Sequence, residues 1–300
     1  MILSQFVNRL KVGGTTLAVR AETPSVISWP RRFAPFLTRS GGDIDVTVLR
    51  ETGPRPGALL FESGGVWRAY EQPDGRLLLT FRVGRTIYKS ALLDAGITRG
   101  EVFFPRPGGS ATGPRSALQF PLDEMLFQQR WARDGLIEVH SCAVRDRAGV
   151  LLFAGHSGAG KSTMAKMWNH FEPHRTILSD DRVLLDPVRP GSVRASGTPW
   201  HGMGRFASTA SGDLRAVFFL EQARISEAIR LHPAEVAARL FTRTFPPIWN
   251  REVTERVVAA CADVAERIPA FVLRFRKDET AIAAARRAAA GFEPGLARQP

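Results

Sequence analysis

The sequence predicts an α/β protein in which a domain of alternating strands and helices follows a smaller β-rich N-terminal domain. Short alternating or β-branched segments fill the first 120 residues, and Gly, Pro and Asp separate them. From Pro121 onward, strand-like and helix-like segments alternate, which is typical of an α/β domain. The chain has 300 residues, of which 44% are hydrophobic, so it is long enough for one large or two ordinary domains.

The N-terminal domain, residues 1–120, is predicted to consist of antiparallel strands and hairpins. The segments that indicate strands are TTLAVRA, IDVTVLR, ALLFES, VWRAYEQ, RLLLTFRV and RTIYKSALL. Turn-forming residues in ETGPRPG, QPDG and RVGR lie between some of them. The next segment, GEVFFPRPGGSATGPRSALQ, is predicted to be a linker or an exposed loop because it is rich in Pro, Gly and Ser.

The second domain, residues 121–300, begins with a predicted helix in PLDEMLFQQRWARDG, where Gly135 follows as a C-cap. Strands are predicted in LIEVHSCAV and GVLLFAG, and a turn with a helix in SGAGKSTMAKMWNHF. The segment TILSDDRVLLDPV is typical of a strand, a break and a strand, and LRAVFFLEQ of a further strand. A helical pattern runs from Ser226 to Ile268, before a strand in PAFVLRF and a helix in DETAIAAARRAAAGF.

Composition argues against several classes of protein. No apolar run approaches the roughly 20 residues that a membrane-spanning helix needs, and MILSQFVNRLKVGG lacks the pattern of a secretory signal. The two cysteines, Cys142 and Cys261, are too few for a disulfide framework and have no zinc-like spacing. We therefore expect a cytoplasmic protein with no membrane partner.

The formal net charge of +12 raises the question of nucleic-acid binding. The basic residues are almost all arginine, and they are scattered through both halves of the chain without a basic run. Nucleic-acid binding proteins concentrate such charge in a patch or stripe. We expect no nucleic-acid partner.

The segment GHSGAGKS, residues 155–162, fits the phosphate-binding pattern G-x-x-x-x-G-K-[ST]. Its glycines permit the backbone to turn successive N–H groups toward an anion, and the following helix adds the positive end of its dipole. Lys161 can reach the β- and γ-phosphates, and Ser162 can ligate Mg²⁺. The sequence thus predicts a nucleoside triphosphate and Mg²⁺ as cofactors. We expect the nucleotide to be ATP, although the sequence does not distinguish it from GTP. The predicted binding residues are Gly155, His156, Ser157, Gly158, Ala159, Gly160, Lys161, Ser162 and Thr163.

Two adjacent acids, Asp180 and Asp181, follow the strand-like TILS. In an extended segment they point in opposite directions, so one can hold Mg²⁺ while the other faces an acceptor. A charged turn between two strands is the alternative, because Asp is common in turns. Their position on the next predicted strand after Lys161 favours the functional interpretation. His140 lies near the loop if its strand pairs with GVLLFAG, although a single His is more often a surface or core residue.

These residues carry a family resemblance. The order His140, GHSGAGKST and LSDD resembles the catalytic domain of HPr kinase/phosphorylase, a family related to ATP-dependent phosphoenolpyruvate carboxykinase. PLDEML and GTPWHG are more similar to a divergent branch, the HPr-kinase-like proteins of biosynthetic gene clusters, some of which resemble kinases of lasso-peptide precursors. The resemblance covers residues 121–300 and implies an HPr-kinase-like P-loop domain. Thr163 stands where that family usually has Glu, and its later Met-Pro segment has no counterpart here, so we expect an acceptor other than HPr.

The resemblance also implies roles for the residues. Asp180 would be the base that accepts the proton of the acceptor hydroxyl, and Asp181 the metal-side ligand with Ser162. His140 would line the site. Phosphoryl transfer needs mainly positioning and charge neutralisation, so this short set is chemically sufficient.

GTPWHG, residues 197–202, is either a rigid turn with Trp200 in the core or a rim of the active site with Trp200 or His201 against a ligand. Arg205 is the arginine that we expect to stabilise transition-state charge. Arg215 and Arg243 are alternatives.

The resulting hypothesis is a kinase that transfers the γ-phosphate of ATP to a hydroxyl, most simply Ser, of a small protein or peptide. A small-molecule kinase and a nucleotide-binding regulatory protein with little turnover are the alternatives. The β-rich domain would contribute to acceptor recognition by accepting an extended peptide at a sheet edge. The sequence leaves homo-oligomerisation open.

Overall fold

The protein is described by a computed structural model that covers residues 6–105 and 116–291. The chain divides into two compact units, one comprising Met1–Arg133 with Ile248–Asn250 and the other Asp134–Pro247 with Arg251–Pro300. Each unit contains a large multi-stranded sheet together with helices. The fold is therefore mixed α/β with two units, as the sequence predicts.

The first unit is built on one sheet, whose order in the described residues is β1-β2-β3-β8-β7-β6-β5-β4. Two short 3₁₀ helices, Pro24–Val26 and Arg31–Phe36, follow β2. The strands are β1 (Phe6–Val12), β2 (Thr15–Ala21), β3 (Ile44–Leu49), β4 (Ala58–Ser63), β5 (Trp67–Glu71), β6 (Leu77–Val83), β7 (Thr86–Leu93) and β8 (Arg99–Phe103).

Two features of this sheet differ from the prediction. Most strands pair antiparallel, but β3 pairs parallel with both β2 and β8. The segment predicted as a linker begins inside β8, whose Val102 is fully buried between β3 and β7. The apolar run there is thus a central strand rather than a loop. The rest of that predicted linker lies largely at 106–115, outside the described residues.

The helix α1 (Leu122–Arg133) belongs to the first unit, so the division falls after Arg133 rather than after residue 120. Trp131 is 1% exposed, and its indole N–H donates to Thr15 Oγ1 over 2.9 Å. Arg133 Nε donates to the carbonyl of Ala95 over 2.7 Å. These long-range bonds hold the helix on the sheet that precedes it. Gly135 follows α1 with φ +77°, the left-handed conformation typical of a C-terminal glycine.

The second unit contains a sheet of order β10-β9-β12-β13-β14-β16-β15 in the described residues, with β11 paired to β9 and β10 also paired to β14. The strands are β9 (Ile137–Asp146), β10 (Gly149–Ala154), β11 (Thr176–Ser179), β12 (Arg182–Asp186), β13 (Arg194–Gly197), β14 (Ser211–Gln222), β15 (Glu227–Arg230) and β16 (Ala270–Phe275). The helices are α2 (Lys161–Phe171), α3 (Pro233–Phe241), α4 (Arg251–Arg267) and α5 (Glu279–Ala290).

One predicted helical region is partly wrong. The segment from Ser226 onward begins with β15, which pairs antiparallel with β16 and places Ile229 opposite Val272. A four-residue strand is too short for a pattern of its own, so pairing with β16 decides its conformation. The helices α3 and α4 then follow as predicted.

In the second unit, the carboxyl ends of three parallel strands lie at one edge of the sheet. β10 pairs parallel with β14, and β14 with β16, so that Ala154, Phe219 and Val272 align. Buried side chains of α2 and α5, such as Trp168 and Ala285, pack in one cluster with these strands. Ligands of open α/β sheets bind beyond the carboxyl ends of parallel strands, which here is where β10 gives way to α2.

No helix in the described residues is both long enough and apolar enough to cross a membrane.

Candidate functional site

The predicted phosphate loop, residues 155–160, connects β10 to α2. Gly158 and Gly160 have φ angles of +83° and +109°, a region that side chains disfavour. Gly155 is required for a different reason than predicted, because a Cβ there would lie 2.6 Å from the Cβ of Ala159. The glycines therefore serve both the turn of the backbone and a close contact within it.

The loop is open to solvent where an anion would enter. His156, Ser157 and Gly158 are exposed, and α2 begins directly after the loop at Lys161. The first N–H groups of a helix have no partner within it, and they carry the positive end of the helix dipole. This geometry suits a phosphate. The carbonyl of Gly158 accepts a bond of 3.0 Å from Gln222 Nε2, which ties the loop to the end of β14.

Lys161 lies with its side chain along the loop. Its Nζ donates to the carbonyls of Gly155 and His156 over 3.0 and 3.1 Å, and the residue is 6% exposed. Burial lowers the pKa of the Lys161 ammonium, the carboxylate of Asp181 acts in the opposite direction, and Arg182 adds to the lowering. The cation is thus held at the loop and coupled electrostatically to Asp181.

Asp180 is fully buried, and every bond to its carboxylate is donated by another group. Ser162 Oγ and the N–H of Gly204 donate to Oδ2 over 2.8 and 2.7 Å. The N–H groups of Gly202 and Phe206 donate to Oδ1 over 3.1 and 3.2 Å. A carboxylate offers about four lone-pair sites. Those of Asp180 are all used, one of them by the predicted metal ligand Ser162.

Asp181 occupies a different environment. Its Oδ1 accepts from His140 Nε2 over 2.9 Å and its Oδ2 from Arg182 over 2.6 Å, which leaves about two lone-pair sites free. Its side chain is 26% exposed. Burial raises the pKa of Asp181, but the bond from His140 and the charge of Arg182 outweigh it, so the pKa lies below its usual value. Asp181 is therefore the member of the pair that solvent can reach.

The prediction that His140 lies near the loop follows from the strand pairing. β9 pairs antiparallel with β10, and the carbonyl of His140 accepts a bond of 3.4 Å from the N–H of Gly155. The N–H of Ser141 in turn donates to the carbonyl of Asp181 over 3.1 Å. His140 therefore lies beside the loop, as the predicted strand pairing requires.

Two arginines lie near the phosphate loop and the paired acids. The guanidinium of Arg182 lies 4.4 Å from the ring centroid of Phe245, and that of Arg243 lies 5.2 Å from Phe219. Phe219 pairs with Ala154, the residue before the loop. Burial lowers the pKa of Arg243. The sequence predicts Arg243 only as an alternative to Arg205. It does not indicate Arg182, although Arg182 directly follows the paired acids.

The other candidate residues lie as follows. Trp200 is 4% exposed and belongs to the core, in agreement with the rigid-turn alternative. His201 is partly exposed, and its Nδ1 lies 2.9 Å from the carbonyl of Gly202. Arg205 is exposed with φ +60°, and its side chain has no ion-pair partner among residues 6–105 and 116–291. Arg215 contacts the carbonyl of Ala148, at the opposite end of β10 from the loop.

The donor set fits a magnesium ion. No group of three or more His, Cys, Asp and Glu side chains suited to a metal occurs in the described residues. A magnesium ion bound with a nucleotide does not need such a group, because it takes one or two protein oxygens, substrate phosphates and water. Ser162 Oγ, whose hydroxyl donates to Asp180 over 2.8 Å beside the phosphate loop, offers such a protein oxygen.

Comparison with known proteins does not identify this site. No protein-family model matches the chain, and no curated protein is significantly similar to it. The inference about function therefore rests on the geometry of the second unit.

Proposed function

We propose that the protein is an ATP- and Mg²⁺-dependent kinase of the HPr-kinase-like P-loop type, which phosphorylates a hydroxyl of a small protein or peptide. One observation carries the proposal: an exposed phosphate loop, the Ser162–Asp180 pair and the accessible carboxylate of Asp181 meet at one edge of the sheet. A nucleotide-binding module needs the first of these. A carboxylate with free lone pairs next to a phosphate loop supports transfer to an acceptor.

The phosphate loop and Lys161 would hold the nucleotide phosphates through N–H groups and one cation. Ser162 Oγ would ligate Mg²⁺, with Asp180 on the metal side because it accepts the hydrogen of that hydroxyl. Bound Mg²⁺ supplies neutralisation of phosphate charge. Arg243, whose guanidinium lies 5.2 Å from the ring centroid of Phe219 and whose charge acts on Lys161, would add to this neutralisation.

The geometry favours the reverse of the aspartate roles that the family resemblance implied. Asp180 has no free lone pair and no exposed surface, so it lacks room to accept a proton from an incoming hydroxyl. Asp181 has both. In the proposed reaction, the acceptor oxygen forms a bond to the γ-phosphorus, the bond to the bridging oxygen of ADP breaks, and the hydroxyl proton passes to Asp181. His140 and Arg182 orient that carboxylate.

The first unit offers support for a peptide acceptor. Its sheet ends at β4, where Leu59 and Leu60 are 55% and 38% exposed. Exposed edge strands pair with extended peptides through main-chain hydrogen bonds. A bulge between Leu59 and Phe61 interrupts this edge, so the segment that can pair is short.

A direct test combines nucleotide binding with transfer from γ-labelled ATP. The unsubstituted protein is expected to bind ATP with Mg²⁺ and to label members of a Ser-, Thr- and Tyr-containing peptide library. Lys161→Ala should bind ATP more weakly and label no peptide. Labelling of small hydroxyl compounds alone would favour the small-molecule kinase. Nucleotide binding without any transfer would favour the regulatory protein, and no binding would overturn the proposal.

A further inference from the structure

The segment Gly202–Phe206, here called the amide cap, encloses the carboxylate of Asp180. Its first, third and fifth residues each turn a backbone N–H toward that carboxylate, over distances of 3.1, 2.7 and 3.2 Å. The intervening Met203 is 88% exposed, and Arg205 is also exposed. One side of the segment therefore binds an acid, and the other faces solvent.

The approach of the amide cap is too close for ordinary side chains. A Cβ on Gly204 would lie 2.6 Å from Asp180 Oδ2, and one on Gly202 would lie 3.0 Å from the same oxygen and 3.2 Å from Ser162 Oγ. Neither glycine has a positive φ angle. Proximity to Asp180 and Ser162, rather than backbone conformation, therefore favours glycine, strongly at position 204 and less strongly at position 202.

The residues that flank the amide cap on both sides are bonded to β11. The carbonyl of Trp200 accepts from Ser179 Oγ over 3.2 Å, and the N–H of Ser208 donates to the carbonyl of Leu178 over 2.9 Å. Within the cap, Arg205 has the left-handed φ of +60°, which costs about 1 kcal/mol for a residue with a side chain. Bonds to the carboxylate offset this cost. The cap is therefore held in a defined position relative to the two acids that follow β11.

We propose that the amide cap is a positioning element for a divalent cation, acting through Asp180 on Ser162; this rests on the proposed function. With three N–H groups on its carboxylate, Asp180 keeps one free lone-pair direction, and the hydroxyl of Ser162 donates into it over 2.8 Å. The hydroxyl hydrogen of Ser162 therefore points toward Asp180, and the lone pairs of Oγ are left for the cation. Asp180 then contributes without being a direct ligand, as outer partners of metal sites commonly do.

The test compares Gly204→Ala with Met203→Ala, a change in the same segment that leaves the contacts to Asp180 intact. Calorimetry measures ADP binding first in EDTA and then as a function of Mg²⁺ concentration. Loss of one bond to a charged group weakens an interaction about tenfold or more. Gly204→Ala should therefore raise the half-saturating Mg²⁺ concentration about tenfold while its affinity for metal-free ADP stays within about twofold. Met203→Ala should match the unsubstituted protein in both.

A double substitution separates positioning from a merely structural role. If the amide cap acts through Ser162, then Gly204→Ala adds little to the Mg²⁺ requirement of Ser162→Ala, because the hydroxyl to be oriented is already gone. Two independent structural effects would multiply instead. Gly202→Ala replaces Gly204→Ala if the latter does not fold, and its smaller overlap predicts a smaller shift in the same direction.

The outcomes separate the two proposals. Failure of the unsubstituted protein to bind nucleotide overturns the proposed function and this inference with it. Nucleotide binding with an unchanged Mg²⁺ requirement in the glycine variants, or fully additive effects with Ser162→Ala, overturns the amide cap alone.

Discussion

Replacing each aspartate with Asn tests the roles that we propose for them. Asn keeps the shape of the side chain but has one oxygen, where the carboxylate has two. In Asp180→Asn, at least two of the four donors around the side chain would face an N–H group. A buried donor without an acceptor costs about 1–3 kcal/mol, so the variant should lose roughly 2–6 kcal/mol of folding free energy. Domains of ordinary stability have about 5–15 kcal/mol in total.

Asp181→Asn should behave differently, because its side chain is partly exposed and holds two donors rather than four. Loss of a general base lowers turnover about 10²- to 10⁴-fold. Proton transfer is late in a loose phosphoryl-transfer transition state, so we expect a value near the lower end, about 10²-fold. Nucleotide affinity and its Mg²⁺ dependence should stay near those of the unsubstituted protein.

Three measurements on each variant decide the matter: urea unfolding, Mg²⁺-dependent ADP binding, and release or transfer of label from γ-labelled ATP. We expect Asp180→Asn to lose stability and Mg²⁺ response, and Asp181→Asn to lose turnover alone. A stable Asp180→Asn protein without turnover, beside an active Asp181→Asn protein with a raised Mg²⁺ requirement, would refute the geometric assignment and restore the one that the resemblance implied.

Three further predictions concern single residues. Lys161→Ala should weaken ATP binding and abolish transfer, since the loop loses its cation; calorimetry with unchanged affinity would remove Lys161 from the site. Gly160→Ala should lose nucleotide binding and stability, because φ is +109° and a Cβ would lie 2.8 Å from Phe275 Cζ; unchanged binding and melting would refute this. Burial lowers the pKa of Lys89 from 10.5 to about 8, and its Nζ donates to the carbonyl of Gln119. Burial therefore penalises the charged amine fully below pH 8, and the penalty disappears between pH 8 and 10.5. Stability relative to Lys89→Met should rise across that window by at most roughly 3 kcal/mol in urea unfolding, and parallel pH profiles would contradict it.

Local sequence patterns predict an element correctly where the residues of that element alone determine its conformation. TTLAVRA and ALLFES coincide with β2 and β4, and the Gly135 C-cap of α1 has the expected positive φ angle. The strand, break and strand in TILSDDRVLLDPV are β11, the paired acids and β12. In each case alternation, helical spacing or a turn residue is present within the segment itself.

What the sequence missed depends on residues far apart in the chain. β8 is a strand because it pairs with β3 and β7, and β15 because it pairs with β16. The sequence of a short segment does not indicate which strands it will pair with. The different environments of Asp180 and Asp181 are a similar case. Adjacent residues on an extended backbone point apart, but which one is enclosed depends on the amide cap, which the sequence presented only as part of a turn.

The phosphate loop and the amide cap use the same physical device for opposite purposes. Both gather backbone N–H groups around an anion, and both favour glycine. In the phosphate loop, the φ angles of Gly158 and Gly160 direct the groups to an exposed surface, where a mobile anion can arrive. In the amide cap, close approach directs them inward to a carboxylate of the chain itself. Ser162 lies between the two, on the first turn of α2 and bonded to Asp180. Under the proposed function, the orientation of its hydroxyl depends on the cap and the phosphate it faces depends on the loop, and we therefore expect nucleotide affinity and metal requirement to be separable.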